Sequence, residues 1–314
     1  MSELRFLPRY MPGIPRRVVA GAGRVLSRAL AIDRVQRLAQ SLQAHRTPAE
    51  FSGAALRALQ VSWSSTGSMD DLMDSGSAPR RGPLLLVSNH PYGVLDALCW
   101  MEWCGRLRSD WRFIGLSLWS QVPVLGERML AADGGRESAG ARLRTVRTAL
   151  AWLREGHAIG MFPAGVVAHW LWRTGRIEEP PWEPSVGLLV RRAAPVVVPG
   201  FVPGCNGALF QILAALHPNL QNAWLVRELF NKRGRHIELQ LGQGVPAERL
   251  MEEARASEMS SLEGRTLDAA LTQAIRARVL ALGDRFPSSV LHEHAGSPVP
   301  AATNHSDRTL PAAR

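Results

Sequence analysis

The sequence predicts an α/β protein, with a mixed, largely parallel sheet flanked by helices and a helical segment ahead of it. Three observations predict this. Short apolar runs alternate with stretches of helical periodicity from about residue 84 to 245. The chain's 314 residues suffice for one large domain or two small ones. With 46% apolar and 20% charged residues it can bury a substantial core, which excludes global disorder.

The elements follow in order. Residues 14–45 carry Val18, Val25, Leu26, Leu30, Ile32, Val35, Leu38 and Leu42 at roughly helical spacing among arginines, the pattern of a basic amphipathic helix. Such a helix either packs on the main domain with a solvated basic face or lies on an anionic bilayer. Residues 48–60 form a second helix, and the Gly/Ser-rich stretch 64–82 reads as a connection. Residues 1–78 are therefore assigned to an N-terminal basic helical segment and linker, and 79–285 to the α/β domain. The Pro/Ser/Ala-rich residues 286–314 are assigned to a disordered tail. Within the domain, strand 84–89 leads to a helix around 94–108 and an apolar segment near 112–118. A helix at 139–155 and a strand ending at Pro163 follow. Then come a helix at 185–194, a buried strand at 195–202, a helix at 208–216 and an alternating strand from His236.

The net charge is +10, and Lys232 is the only lysine. Arginine forks bind phosphate and carboxylate in a bidentate way that lysine does not, although a GC-rich coding sequence produces the same bias. The field attracts anions: nucleic acid, an acidic membrane surface or phosphorylated substrates. No reading helix or RNA-binding motif accompanies the charge, so nucleic acid is not an expected partner. Cys99, Cys104 and Cys205 make neither a disulfide framework nor a zinc spacing and fit a reducing compartment. No apolar run approaches the ~18–20 residues of a spanning helix. The first residues, with prolines and scattered arginines, lack the apolar core of a secretory signal. The expected location is cytoplasmic or at a membrane surface. Trp170 and Trp172, beside Arg173, fit a membrane interface or ordinary core packing equally well.

Two stretches carry chemistry. In "LLLVSNHPYGVLD" (84–96) an apolar strand ends at Asn89 and His90, turns through Pro91 and Gly93, and reaches Asp96. Ligands of α/β sheets gather beyond the carboxyl ends of strands, where His90 sits. Asp96 either folds back to fix the imidazole tautomer, leaving the other nitrogen to take a proton from a hydroxyl, or serves the N-terminus of the next helix. No serine accompanies the pair, so the nucleophile would be the substrate's own alcohol. In "MFPAGVVAHWLW" (161–172), Phe162, Pro163, Ala164 and Gly165 close a second strand with a turn tight enough to need glycine. Further on, Arg227, Lys232, Arg233 and Arg235 either bind phosphate or form a solvated loop.

"NHPYGVLD", "FPAGVVA", "PPWEPSVGLLVRRAAPVVVPGF" and "RELFNKRGRHIELQLG", in that order, resemble the glycerophospholipid acyltransferase superfamily over about residues 80–250. They look most like the bacterial branch labelled hemolysin, whose relatives include ornithine-lipid acyltransferases. The spacing of five residues between His90 and Asp96 is that branch's form of the signature. The resemblance implies a glycerolipid acyltransferase-like fold in which His90 deprotonates the acceptor hydroxyl and Asp96 orients it. The alkoxide then attacks the thioester of acyl-ACP (acyl carrier protein) or acyl-CoA, with no acyl-enzyme, no metal and no cofactor. The implied acceptor is a lysophospholipid or lyso-ornithine-type lipid, and the implied location is peripheral, on the inner face of the cell membrane. Matching the motifs residue by residue marks Asn89, Gly93, Phe162, Pro163, Gly165, Asn206, Lys232 and Arg233 as substrate-binding. Arg136 is added from the region resembling the second block. There are departures. Ala164 and Val166 stand where relatives carry a glutamate, and Cys205 where the branch carries an arginine. Either the acceptor differs from the family norm, or the chain is a lipid-binding relative of low or no activity that kept the fold.

Overall fold

A computed structural model describes residues 31–66, 72, 78–115, 120, 122, 124–132, 138–257 and 264–284. The N-terminal helix α1 spans Ile32–Ser41. Ala31 ahead of it is left-handed (φ 58°), so the continuous helix predicted over 14–45 does not run through that point; residues 14–30 of the prediction lie outside the described residues. Helix α2 (Pro48–Ala58) starts where Thr47 accepts from the Glu50 amide and Glu50 accepts from the Thr47 amide, with Pro48 pre-set at the first position.

Strand β1 (Ser62–Ser65) lies in a stretch read from sequence as linker. Its SWSS composition offers no apolar alternation, and tertiary pairing overrides the weak propensity. The remaining strands are β2 (Leu84–Ser88), β3 (Trp111–Gly115), β4 (Met129–Ala131), β5 (Ala158–Met161), β6 (His169–Leu171), β7 (Arg176–Glu178), β8 (Val196–Phe201), β9 (His236–Leu241) and β10 (Val245–Pro246). The main sheet runs β1-β9-β8-β2-β5-β3-β4, with β10 on β8, and β6–β7 form a separate hairpin. β2 is parallel to both β8 and β5, β3 to β5 and β4, and β1 to β9. β9 and β10 run antiparallel to β8. The sheet is thus mixed and largely parallel. Because β1 pairs with β9, residues 62–65 belong to the same sheet as the domain assigned to 79–285. Two serines of β1 fix the register there: Ser62 and Ser64 hydroxyls lie 2.9 and 2.8 Å from the two ring nitrogens of His236.

Helices cover both faces: α3 (Val94–Leu107), α4 (Ala139–Arg154), α5 (Ser185–Ala193), α6 (Ala208–Leu216), α7 (Pro218–Asn231), α8 (Ala247–Ser257) and α9 (Gly264–Gly283). The sequence reading assigned no helix to α7, α8 or α9. β2 is buried along its whole length, as a central parallel strand must be. One core lies between the sheet and α2–α3, centred on Trp100, Met101 and Trp103. Each of these fully buried side chains contributes roughly 1.5–3 kcal/mol. The other joins the opposite sheet face to α4, α5, α8 and α9. Among the described residues no helix is long and apolar enough to cross a membrane.

Candidate active site

β2 delivers His90 to the carboxyl edge of the sheet, and its neighbour β5 delivers Phe162 to the same edge. The two rings stack, with centroids 4.0 Å apart and planes 17° from parallel. Between His90 and α3 the chain turns through Gly93, which has φ 84°. The conformation requires glycine, and a Cβ there, 2.8 Å from a Leu225 methyl, would also push that side chain aside.

Asp96 lies in the first turn of α3 and is fully buried. Its Oδ2 accepts from the Tyr92 amide (2.8 Å) and the Gly93 amide (2.9 Å), and lies 3.1 Å from His90 Nδ1. Sequence posed the tautomer-fixing and capping roles as alternatives; one oxygen of Asp96 lies both at the two capping amides and beside the imidazole. The helix N-terminus and two amides stabilise the buried negative charge. The imidazole is at ion-pair distance without hydrogen-bond alignment, and Asp96 Oδ1 has no hydrogen-bond partner. With Nδ1 turned to Asp96, Nε2 is the nitrogen left for a substrate.

His90 and Phe162 help wall a cavity of about 110 Å³. Val94, Ala97 and Met101 of α3 form one side, and Phe113, Ile114 and Met129 another. Gly165, Val166 and Val167 of the loop after β5, with Pro218, Gln221 and Leu225 of α7, complete it. Apart from His90, Gln221 and Asn222 the lining side chains are apolar, which suits a hydrocarbon chain next to a base. Gly165 has φ 67° and its amide donates to the Phe162 carbonyl (3.0 Å), the tight turn expected of it.

The other predicted substrate-binding residues take different places. Asn89 is a structural clamp: its side chain donates to the Val202 carbonyl (2.8 Å) and accepts from the Val202 amide (2.7 Å), tying β2 to the end of β8. Pro163 is buried and its carbonyl accepts from the Glu183 amide (3.3 Å). Asn206 is buried, with neither side-chain amide atom bonded. Lys232 pairs with buried Glu228 (3.0 Å) and stands 5.2 Å over the Tyr92 ring. Burial pushes the Glu228 carboxyl up, but the Gly207 amide and Lys232 outweigh it and hold it below the usual range. The anion at Lys232 is therefore already part of the protein. Arg233 donates to Gln60 Oε1 (2.5 Å) beside β1. Asn89, Pro163, Asn206, Lys232 and Arg233 are not among the residues lining the cavity. Arg136 lies outside the described residues. Partial burial raises the Cys205 thiol above its ordinary value against the pull of Lys232, the opposite of an activated nucleophile.

One residue at the site was missed. Glu179, 7% exposed, accepts from the His90 backbone amide (Oε1, 2.5 Å) and from the Trp182 indole N–H (Oε2, 2.8 Å). Burial pushes this carboxyl up to about 7, against the lowering effects of Trp182, His90 and Arg276. Positions 164 and 166 carry no carboxylate, yet one reaches the histidine from the segment after β7. The only signal was the pair Glu178-Glu179 before two prolines, and nothing in that spacing points to His90.

The family model described as acyltransferase matches residues 5–263. No curated protein matches. Among solved structures, the 1-acyl-sn-glycerophosphate (LPA) acyltransferase PlsC from Thermotoga maritima is 13% identical with a TM-score of 0.45; the match covers 86% of this chain and 94% of that one. With the family model spanning most of its length, and a histidine–aspartate pair at the wall of an apolar cavity, the chain belongs to the acyltransferase family and is an enzyme of acyl transfer.

Proposed function

We propose that the protein moves a fatty acyl group from acyl-ACP or acyl-CoA to the hydroxyl of a lysophospholipid or lyso-ornithine-type lipid, working on the inner surface of the cell membrane. The observation that carries this reading is His90, held 3.1 Å from Asp96 and facing a cavity lined mostly by apolar side chains. His90 Nε2 takes the acceptor hydroxyl proton as the oxygen attacks the thioester carbonyl. The tetrahedral intermediate collapses with loss of the C–S bond, and the leaving sulfur recovers the proton from the imidazolium. Asp96 keeps Nδ1 as the protonated position and stabilises the cation formed in between. The acyl chain lies along Met101, Phe113 and Met129.

The test is thioester consumption with a panel of lyso-lipid acceptors. His90→Ala should lower turnover by about 10²–10⁴-fold, the usual worth of a general base. Full activity in that variant would exclude the mechanism. Lyso-ornithine and lysophospholipid acceptors compared side by side identify the acceptor.

A further inference from the structure

Helix α6 is built inside out. Its sequence, ALFQILAAL, holds one polar side chain, Gln211, and that one is buried at 7% exposure. Gln211 accepts from the Trp170 amide of β6 (2.9 Å) and donates to the Asn206 carbonyl (3.1 Å). The face turned outward carries Leu209, Ile212 and Leu216, which are 48, 57 and 68% exposed, with Leu220 of α7 beyond them. In water a surface helix shows the reverse arrangement. Scattered exposed leucines need no explanation, but a helical row of them over a hidden glutamine does. Beside α6 the β6–β7 hairpin ends in Trp172, 77% exposed and edge-on to Trp170.

Charge says what covers this face. Along the hairpin turn and the outward row, residues 172–177 and 208–220, the chain contains no aspartate or glutamate, while Arg173 and Arg176 are present and Arg227 follows on α7. Glu178, at the base of the hairpin opposite His169, is half-buried. An apolar row flanked by tryptophan and arginine, with no acid on the row or at the hairpin turn, matches the boundary of an anionic bilayer. The turn between α6 and α7 also joins this face to the catalytic cavity, because Pro218 and Gln221 line the cavity while Leu216 and Leu220 face out.

We propose that the outer face of α6, with Leu220 and the β6–β7 hairpin, is the surface that docks the enzyme on anionic lipid, setting the cavity entrance against the membrane. This deepens the lipid-acceptor reading and rests on the acceptor residing in a bilayer; vesicle binding and turnover are read separately so that either can fail alone. The full chain is floated with phosphatidylglycerol/phosphatidylcholine vesicles and with pure phosphatidylcholine vesicles. The wild type should prefer the anionic vesicles, by roughly fivefold for each arginine near the surface. The double variant Ile212→Ser/Leu216→Ser and the single variant Trp172→Ser should each lose about tenfold or more in vesicle affinity. Their thermal unfolding should be unchanged, since these side chains are exposed. His90→Ala should bind as the wild type does. Equal vesicle binding by the wild type and the α6 variant overturns the proposal. So does a wild-type dimer in solution that the α6 variant dissociates, because the face then belongs to a second copy of the chain. Vesicle binding lost in the α6 variant, with no transfer by the wild type to any lyso-lipid, leaves the docking surface standing and removes the acceptor reading.

Discussion

At the level of single residues the site is a chain of constraints around one imidazole. Asp96 approaches Nδ1, Phe162 supports the ring face, and Glu179 holds the backbone amide behind it. Glu179 meets two donors with two oxygens, so a carboxamide can satisfy only one of them. Glu179→Gln should lower kcat by about tenfold while leaving KM nearly unchanged, since sub-ångström misplacement of a base costs rate and not affinity. Adding Trp182→Phe removes the competing indole donor and should recover part of kcat; a single variant with full kcat would show that the contact does not position His90. The same carboxyl sets a pH dependence. Its folded value of about 7 lies above the ordinary glutamate value of 4.5, so between them the folded chain holds a proton that the unfolded chain has released. Stability present below pH 4.5 should therefore fall by a few kcal/mol as pH rises through 7. Denaturant unfolding at pH 5 and pH 7.5 should show this slope in the wild type and a flatter one in Glu179→Gln. The His90–Asp96 pair was legible in sequence because a proline–glycine turn confines two polar residues six positions apart. The Glu179 contact bridges 89 positions with no periodicity to announce it.

At the level of elements, α3 carries both the cap on the His90–Gly93 turn and one wall of the cavity. Val94, Ala97 and Met101 recur at helical spacing along the side that faces the cavity, where the proposed acyl chain would lie. Ala97 is the small member of that row. Ala97→Leu should shorten the preferred acyl chain, read as a shift in the optimum across a series of acyl donors, with little change for the shortest. Gly93→Ala should be severe in folding as well as activity, because it combines a positive φ with a 2.8 Å approach to Leu225. Circular dichroism and thermal unfolding of that variant check this. The strands of the sheet's centre were readable as short apolar runs bounded by glycine and proline. α7 was not, although it closes the cavity: its buried residues Gln221 and Glu228 interrupt the apolar periodicity that a sequence scan depends on. Those same polar side chains explain the helix once its contacts are known, since Gln221 donates to the Val167 carbonyl and Glu228 anchors Lys232.

At the level of the whole molecule, a net charge of +10 spread over 37 basic and 27 acidic residues gives a long-range attraction for anionic surfaces. Raising salt from ~0.01 to ~1 M shortens the Debye length from ~30 to ~3 Å. Affinity for anionic vesicles should fall about tenfold or more over that range, and affinity for neutral vesicles much less, as measured by flotation at several ionic strengths. The sequence conveyed the architecture of the central sheet but not β1, because β1 has a polar composition and pairs with a partner far along the chain. That pairing has a consequence for synthesis. Ser62 meets His236 across 174 positions, so at ribosomal speeds β1 exists for on the order of ten seconds before the strand it needs has been made. A strand of three serines and one tryptophan can wait in water for that time without recruiting a wrong partner, as a valine-rich edge could not. The composition that hid β1 from the sequence reading is the one that suits a strand made long before its partner.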